Sequence, residues 1–224
     1  MPADYSGAST VKRHPLDVRI AHWVAAVSFI LLGLSGLAFF TPSLFFLTAL
    51  FGGGETARWL HPWLGVALAL SYLVLTVRFI GSCLWAPEDT AWMAHLSDAM
   101  SGREEKLPEI GKFNPGQKLY FWGMALMIAV LLVTGVIIWQ AYFSALTTIA
   151  TQRIAVLIHS IAAVLAILGF IVHIHMVTWE PGTLRAMLNG TVTGGWAWKH
   201  HRKWLRQVVG AKRGKPRVSA PPAE

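Results

Sequence analysis

The chain has 224 residues, 54% hydrophobic and only 13% charged, against about 25% charged in an average soluble domain. That composition reads as a membrane protein, and the net charge of +8 does not call for nucleic acid, because the basic residues sit at the ends of apolar runs where lipid headgroups meet them. The single cysteine, Cys83, excludes a disulfide framework and a thiolate-held iron–sulfur cluster within the chain, and no CxxCH run exists for covalent c-type haem.

Residues 1–19 are polar and carry Lys12, Arg13 and Arg19. The apolar run that follows, about 20–40, is longer than a signal-peptide core, so a first membrane span is expected there. TPS and GGGE then mark a loop. A second span is expected over about 59–80, with Cys83 an inert thiol at its end. Residues 82–116 are polar, with Pro87, Pro108, Pro115 and charges of both signs. Third and fourth spans are expected over about 117–139 and 153–179. The fold class is an all-α membrane protein, a bundle of four transmembrane helices. Residues 1–205 read as one domain and 206–224 as a basic, disordered tail.

Orientation follows from Lys and Arg. With four spans, both termini and the central loop share one side. That side holds 17 of the 19 Lys and Arg, counting Arg78 and Lys118 at span ends; Arg58 and Arg153 lie on the other. Both termini are therefore expected in the cytoplasm of a bacterial inner membrane. Trp23, Trp59, Trp63, Trp122, Trp139 and Trp179 fall near span ends, as an interfacial belt requires.

Nine histidines need sorting. His14, His95, His200 and His201 lie outside the spans and are expected in solvent or among headgroups. His22, His61, His159, His173 and His175 lie in or beside spans, where an ionisable residue is a functional hypothesis. His159 and His173 are 14 residues apart, about 40° short of four full turns, so they share one face of the fourth helix at roughly 21 Å axial separation. Depth pairs the rest. His61 and His159 lie near the outer surface, His22 and His173 near the cytoplasmic one. Two histidines at one depth on different helices suit bis-histidine ligation of a b-type haem, so the bundle is expected to enclose two haems b. His175 competes with His173, but it points about 160° from His159 and reads as a headgroup or partner contact.

Small residues fit this reading. Ala162, Ala163 and Ala166 follow His159 on its own face, Gly33 and Gly36 follow His22, and Gly65 lies four after His61. A porphyrin beside a helix needs short side chains, but so does close helix packing in a membrane. Zinc without porphyrin fits less well, because each depth offers two histidines and no acidic residue. A haem-free membrane anchor and a small transporter are the other classes. No Asp or Glu lies within an expected span, which argues against the transporter.

Six segments carry a family resemblance: RIAHW (19–23), LHPWLG (60–65), GKFNPGQKLYFW (111–122), LVTGVIIWQAYF (132–143), LIHSIAAVLAILGFIVHIHM (157–176) and GTVTGGWAWKHHRKW (190–204). Over roughly residues 10–205 the chain resembles the gamma subunit of respiratory formate dehydrogenase. More distantly it resembles the b-type cytochromes of nickel–iron hydrogenase and thiosulfate reductase. The resemblance implies four helices and two b haems on His22, His61, His159 and His173. It also implies a quinone site, for menaquinone or ubiquinone, at Asn114, Gly116 and His173. Read from the residues alone, Asn114-Pro115-Gly116 is first a turn opening a helix, whose free N–H groups and amide could also bond a quinone carbonyl. Arg78 reads as a haem-propionate partner or as a snorkelling interface anchor. Two departures stand out: Gln140 where a basic residue is expected, and a tail after 205 that matches nothing.

The expected mechanism is an electron wire. An iron–sulfur subunit would dock outside, around 41–58 and 140–152, and pass electrons through the outer pair to the inner pair and on to quinone. Formate oxidation would belong to a catalytic partner subunit, so this chain has no catalytic residue of its own for that reaction.

Overall fold

A computed structural model describes residues 10–213. A short strand, β1 (Thr10–Lys12), leads into the first long helix, α1 (Leu16–Phe40). A 3-10 helix, Pro42–Phe51, lies in the loop that follows. Then come α2 (Gly54–Cys83), α3 (Pro87–Ala94), α4 (Leu96–Met100), α5 (Pro115–Ile138), α6 (Gln140–Phe143) and α7 (Ile149–Trp179). The described residues end in α8 (Thr183–Leu188), β2 (Thr191–Thr193), α9 (Gly194–His200) and α10 (Arg202–Arg213).

Four helices, α1, α2, α5 and α7, are long and apolar enough to cross a membrane. Two of them, α5 and α7, are opened by a polar side chain that caps the first turn. Asn114 caps α5 reciprocally: its Oδ1 accepts from the Gln117 N–H at 2.8 Å, and the Gln117 side chain accepts from the Asn114 N–H at 3.0 Å. Thr148 caps α7, accepting from the Thr151 N–H at 3.2 Å. Ahead of α2, Gly52 and Gly53 take φ of +82° and +108°, which only glycine adopts cheaply.

Apolar side chains of all four helices meet in one core: Val18, Ala25 and Phe29 of α1, Leu68, Leu75 and Phe79 of α2, Phe121, Met124 and Ile128 of α5, and Ala166 of α7. Their opposite faces expose Leu73, Val77, Leu126, Val133, Leu157, Leu165 and Ile171, the surface that lipid would cover. Trp23, Trp59, Trp63, Trp122 and Trp179 are exposed on this surface.

The described segments before α1 and after α7 and the α2–α5 connection are woven into one cap at the same end of the bundle, the basic end. β1 pairs antiparallel with β2, Val11 opposite Val192. Arg13 donates to the Lys112 carbonyl at 2.7 Å, and Arg206 pairs with Glu109 at 2.8 Å. Val11, Ala186, Val192, Ala197, Trp204 and Leu205 form a second apolar core beneath. Two sequence expectations change here. The expected tail from 206 is helical through Arg213, because Leu205, Val208 and Val209 pack on this core; residues 214–224 lie outside the described residues. His14 and His201, expected in solvent, are 4% and 1% exposed, because the cap closes over them.

Candidate functional site

Two histidine pairs face each other across the bundle. At the end opposite the cap, His61 of α2 faces His159 of α7, with ring centres 6.4 Å apart. Nearer the basic end, His22 of α1 faces His173 of α7, also at 6.4 Å. Two metal–imidazole bonds of about 2 Å each, with each ring behind its nitrogen, put the ring centres of a bis-histidine pair roughly 6.4 Å apart. Both pairs match that spacing, so at each depth the two imidazoles would fit as the residues that hold a haem iron. His175 is exposed and lies against Trp179, at 5.6 Å between ring centres.

The His61–His159 pair is braced by two hydroxyls. Ser35 Oγ donates to the Leu31 carbonyl at 2.9 Å and lies 2.7 Å from His61 Nδ1. Thr134 Oγ1 donates to the Val130 carbonyl at 2.6 Å and lies 2.8 Å from His159 Nδ1. With each hydroxyl proton spent on a carbonyl, each oxygen accepts from an imidazole Nδ1–H. That fixes the tautomer and leaves Nε2 as the free lone pair, the state a metal ligand needs. Neither Ser35 nor Thr134 is singled out by the sequence, since such residues in membrane helices commonly bond the carbonyl one turn back. Their match in depth to His61 and His159 is the signal that could have found them.

Around His22 and His173 the bracing is aromatic. Tyr120 of α5 stacks on His173, with ring centres 4.7 Å apart and planes 11° from parallel, and Trp23 stands edge-on to His22. His22 Nδ1 is buried with no partner among the described residues.

The glycines separate the two uses of small side chains. A Cβ on Gly36 would meet His61 at 3.7 Å, and one on Gly135 would meet His159 at 3.5 Å, so both glycines clear room for these rings. At Gly33 and Gly65 a Cβ would meet nothing within 4 Å, which is not how a close helix crossing looks. Ala162 and Ala166 are buried; Ala163 is half-buried.

Asn114 and Gly116 lie at the start of α5, at the basic end. The Asn114 carbonyl oxygen is engaged in the cap, and its NH2 group has no hydrogen-bond partner among the described residues. A Cβ on Gly116 would press on that oxygen at 3.4 Å. Tyr120 carries the same helix on to His173. Arg78 pairs with Asp17, both half-exposed. Gln140 bonds Gln152 at 3.3 Å. Lys118, expected at an interface, is buried instead, against Asp89 at 2.6 Å and the Leu84 carbonyl at 3.0 Å.

A family profile described as prokaryotic cytochrome b561 matches residues 13–190. The chain is 38% identical over 194 residues to the cytochrome b556(Fdn) subunit of the nitrate-inducible formate dehydrogenase of Escherichia coli strain K12, covering 87% of this chain and 89% of that one. It is 38% identical over 199 residues to the cytochrome b556(fdo) subunit of formate dehydrogenase from the same organism, covering 89% and 93%. With the formate dehydrogenase cytochrome b556 subunit of Haemophilus influenzae it shares 35% identity over 209 residues, covering 93% and 88%.

Proposed function

The chain belongs to the prokaryotic cytochrome b561 family, and on that premise we propose that it is the membrane cytochrome b subunit of a formate dehydrogenase, with haem b held by His61 and His159 and a second haem b by His22 and His173. The formate dehydrogenase subunits it resembles over nearly their whole length support that assignment. The observation that carries the two-haem reading is the pair of equal imidazole separations, 6.4 Å at each depth. When bound, each haem would supply a one-electron carrier whose potential answers to ligand, hydrogen bonding and burial.

The chain's own residues do the rest. α7 supplies one ligand to each site and so sets their spacing. Ser35 and Thr134 hold the outer imidazoles in the metal-binding tautomer. By the positive-inside rule the basic end lies in the cytoplasm and the other end outside, across a bacterial inner membrane. An iron–sulfur subunit docks outside, around 41–58 and 140–152, and delivers electrons from a catalytic subunit that oxidises formate. Quinone, menaquinone or ubiquinone, is reduced near Asn114, Gly116 and His173, with the Asn114 NH2 group donating to a quinone oxygen and protons drawn from the cytoplasm. Each charge moved across stores about 2.3 kcal/mol per 100 mV.

Single substitutions test the assignment. Reduced-minus-oxidised spectra of purified protein should lose one haem signal with His61→Leu or His159→Leu and the other with His22→Leu or His173→Leu. His175→Leu should lose neither. A variant in which His175, not His173, proves necessary would overturn the inner site.

A further inference from the structure

His14 lies just ahead of α1 and has no part in either histidine pair. Its backbone is fixed from two directions. The N–H groups of Arg13 and His14 both donate to the Gly190 carbonyl, at 2.8 and 3.2 Å. Pro15 follows, and a residue before proline is driven to extended backbone, so His14 stays out of the helix. Gly190 makes the approach possible: its φ is +76°, and a Cβ there would stand 2.7 Å from the His14 carbonyl oxygen.

Held this way, the imidazole enters the basic end of the bundle and packs against two phenyl rings that themselves meet edge to face, 5.0 Å between centres. Phe79 of α2 meets it edge-on at 5.5 Å, and Phe113 stacks on it at 6.4 Å. The residue is 4% exposed, yet its Nδ1 has no partner among the described residues. Buried polar groups are normally paired, and an apolar ring would fill this slot without leaving an atom orphaned. The nitrogen therefore points to a ligand.

The surroundings say which kind. Phe113 adjoins Asn114, whose NH2 group is also without a partner among the described residues. The Lys112 ammonium stands 5.3 Å from the Phe79 ring centre and 5.6 Å from that of Phe113, and the Arg13 guanidinium 5.8 Å from Phe113. Two cations and two free polar groups suit a ring with oxygens at its edge that gains negative charge. Burial first, then the charges of Arg13, Lys112 and His22, hold the His14 imidazole down at about 3, so it stays neutral in the cytoplasmic range. A neutral imidazole nitrogen donates in one tautomer and accepts in the other. Quinone carbonyls only accept and quinol hydroxyls also donate, so one such nitrogen serves both.

We propose that His14 is a second hydrogen-bonding residue for the quinone headgroup, acting beside Asn114 through its otherwise unpaired Nδ1. This rests on the quinone reading of Asn114. The test uses the complex purified from membranes, with decylubiquinone and menadione as acceptors. His14→Phe should keep haem content and spectrum, lose no thermal stability, and raise the KM for quinone roughly tenfold. His14→Gln, which can donate and accept, should restore most of that loss. Asn114→Leu should also raise KM. Unchanged quinone kinetics in His14→Phe, with Asn114→Leu impaired, would overturn the role of His14 and leave the quinone reading standing. Unchanged kinetics in both would remove that reading as well. Should His14→Phe not assemble, infrared difference spectra of carbonyl-labelled menadione in the unaltered complex decide. Two hydrogen-bonded carbonyl bands support the proposal; one free band overturns it.

Discussion

Ser35 and Thr134 decide which nitrogen of each outer histidine is left for a metal. Both accept from an Nδ1–H while donating to their own helix, so replacing either leaves a buried imidazole N–H unpaired. An imidazole whose N–H is hydrogen-bonded is the more basic ligand, and it favours ferric over ferrous iron. Ser35→Ala and Thr134→Val should therefore raise the midpoint potential of the haem proposed at His61 and His159 alone and weaken its retention by about 10–100-fold; redox titration followed optically checks both. Ala or Val variants with two unshifted potentials would contradict this bracing role. At this scale the sequence was half legible. The ligand candidates stood out because histidine is rare in lipid and four of them matched in depth. The hydroxyls did not, because serine and threonine bond their own helix in lipid whether or not a histidine is near. His14 and His201 were misplaced because position outside a span says nothing about what folds back over it.

Among the elements, α5 is the one whose start is most firmly fixed. Its Asn114 cap, the Tyr72 hydroxyl bond to the Phe121 carbonyl at 2.6 Å, and the Lys118–Asp89 pair tie it to α2 and α3. The Lys118 and Asp89 side chains are 7% and 1% exposed. Removing one charge strands the other away from water, whereas removing both does not. Asp89→Ala should cost about 3–5 kcal/mol of stability, and the double variant Asp89→Leu with Lys118→Met much less. Thermal unfolding in detergent measures this, and a double variant no better than the single would contradict it. The four helices were readable from hydropathy because lipid requires continuous apolar runs. Their starts were not, because Pro15, Asn114 and Thr148 begin hydrogen-bonded turns before hydropathy rises. The β1–β2 pair was out of reach, since two three-residue strands nearly 180 residues apart leave no periodic signal.

Across the whole molecule, the cap joins the described segments before α1 and after α7 to the central connection, and one of its links runs through an imidazole that must stay neutral. His201 Nδ1 donates to the Gly111 carbonyl at 2.9 Å, and its Nε2 accepts from Arg13 at 3.1 Å. Burial, then Arg13, holds this imidazole well below its ordinary value of 6.5, against the Gly111 bond; His200 and His14 add to the depression. An opened cap would let it titrate normally. Above about pH 6.5 both states are neutral and stability is level. Below it the open state binds the extra proton, so the cap loosens as pH falls. Hydrogen exchange at Val11 and Val192, corrected for intrinsic rate, should speed up on acidification, and His201→Gln should flatten that response. A cap equally protected at both ends of the range would contradict it. The topology that gathers these groups at one end was foreseeable from the Lys and Arg distribution; the packing that buries them was not. Two haem sites in one four-helix chain are counted by the pyridine-haemochrome assay on purified protein. Two haems b per chain are expected, falling to one when His61 is replaced by Leu; one haem or none in the unaltered protein would overturn the two-site reading.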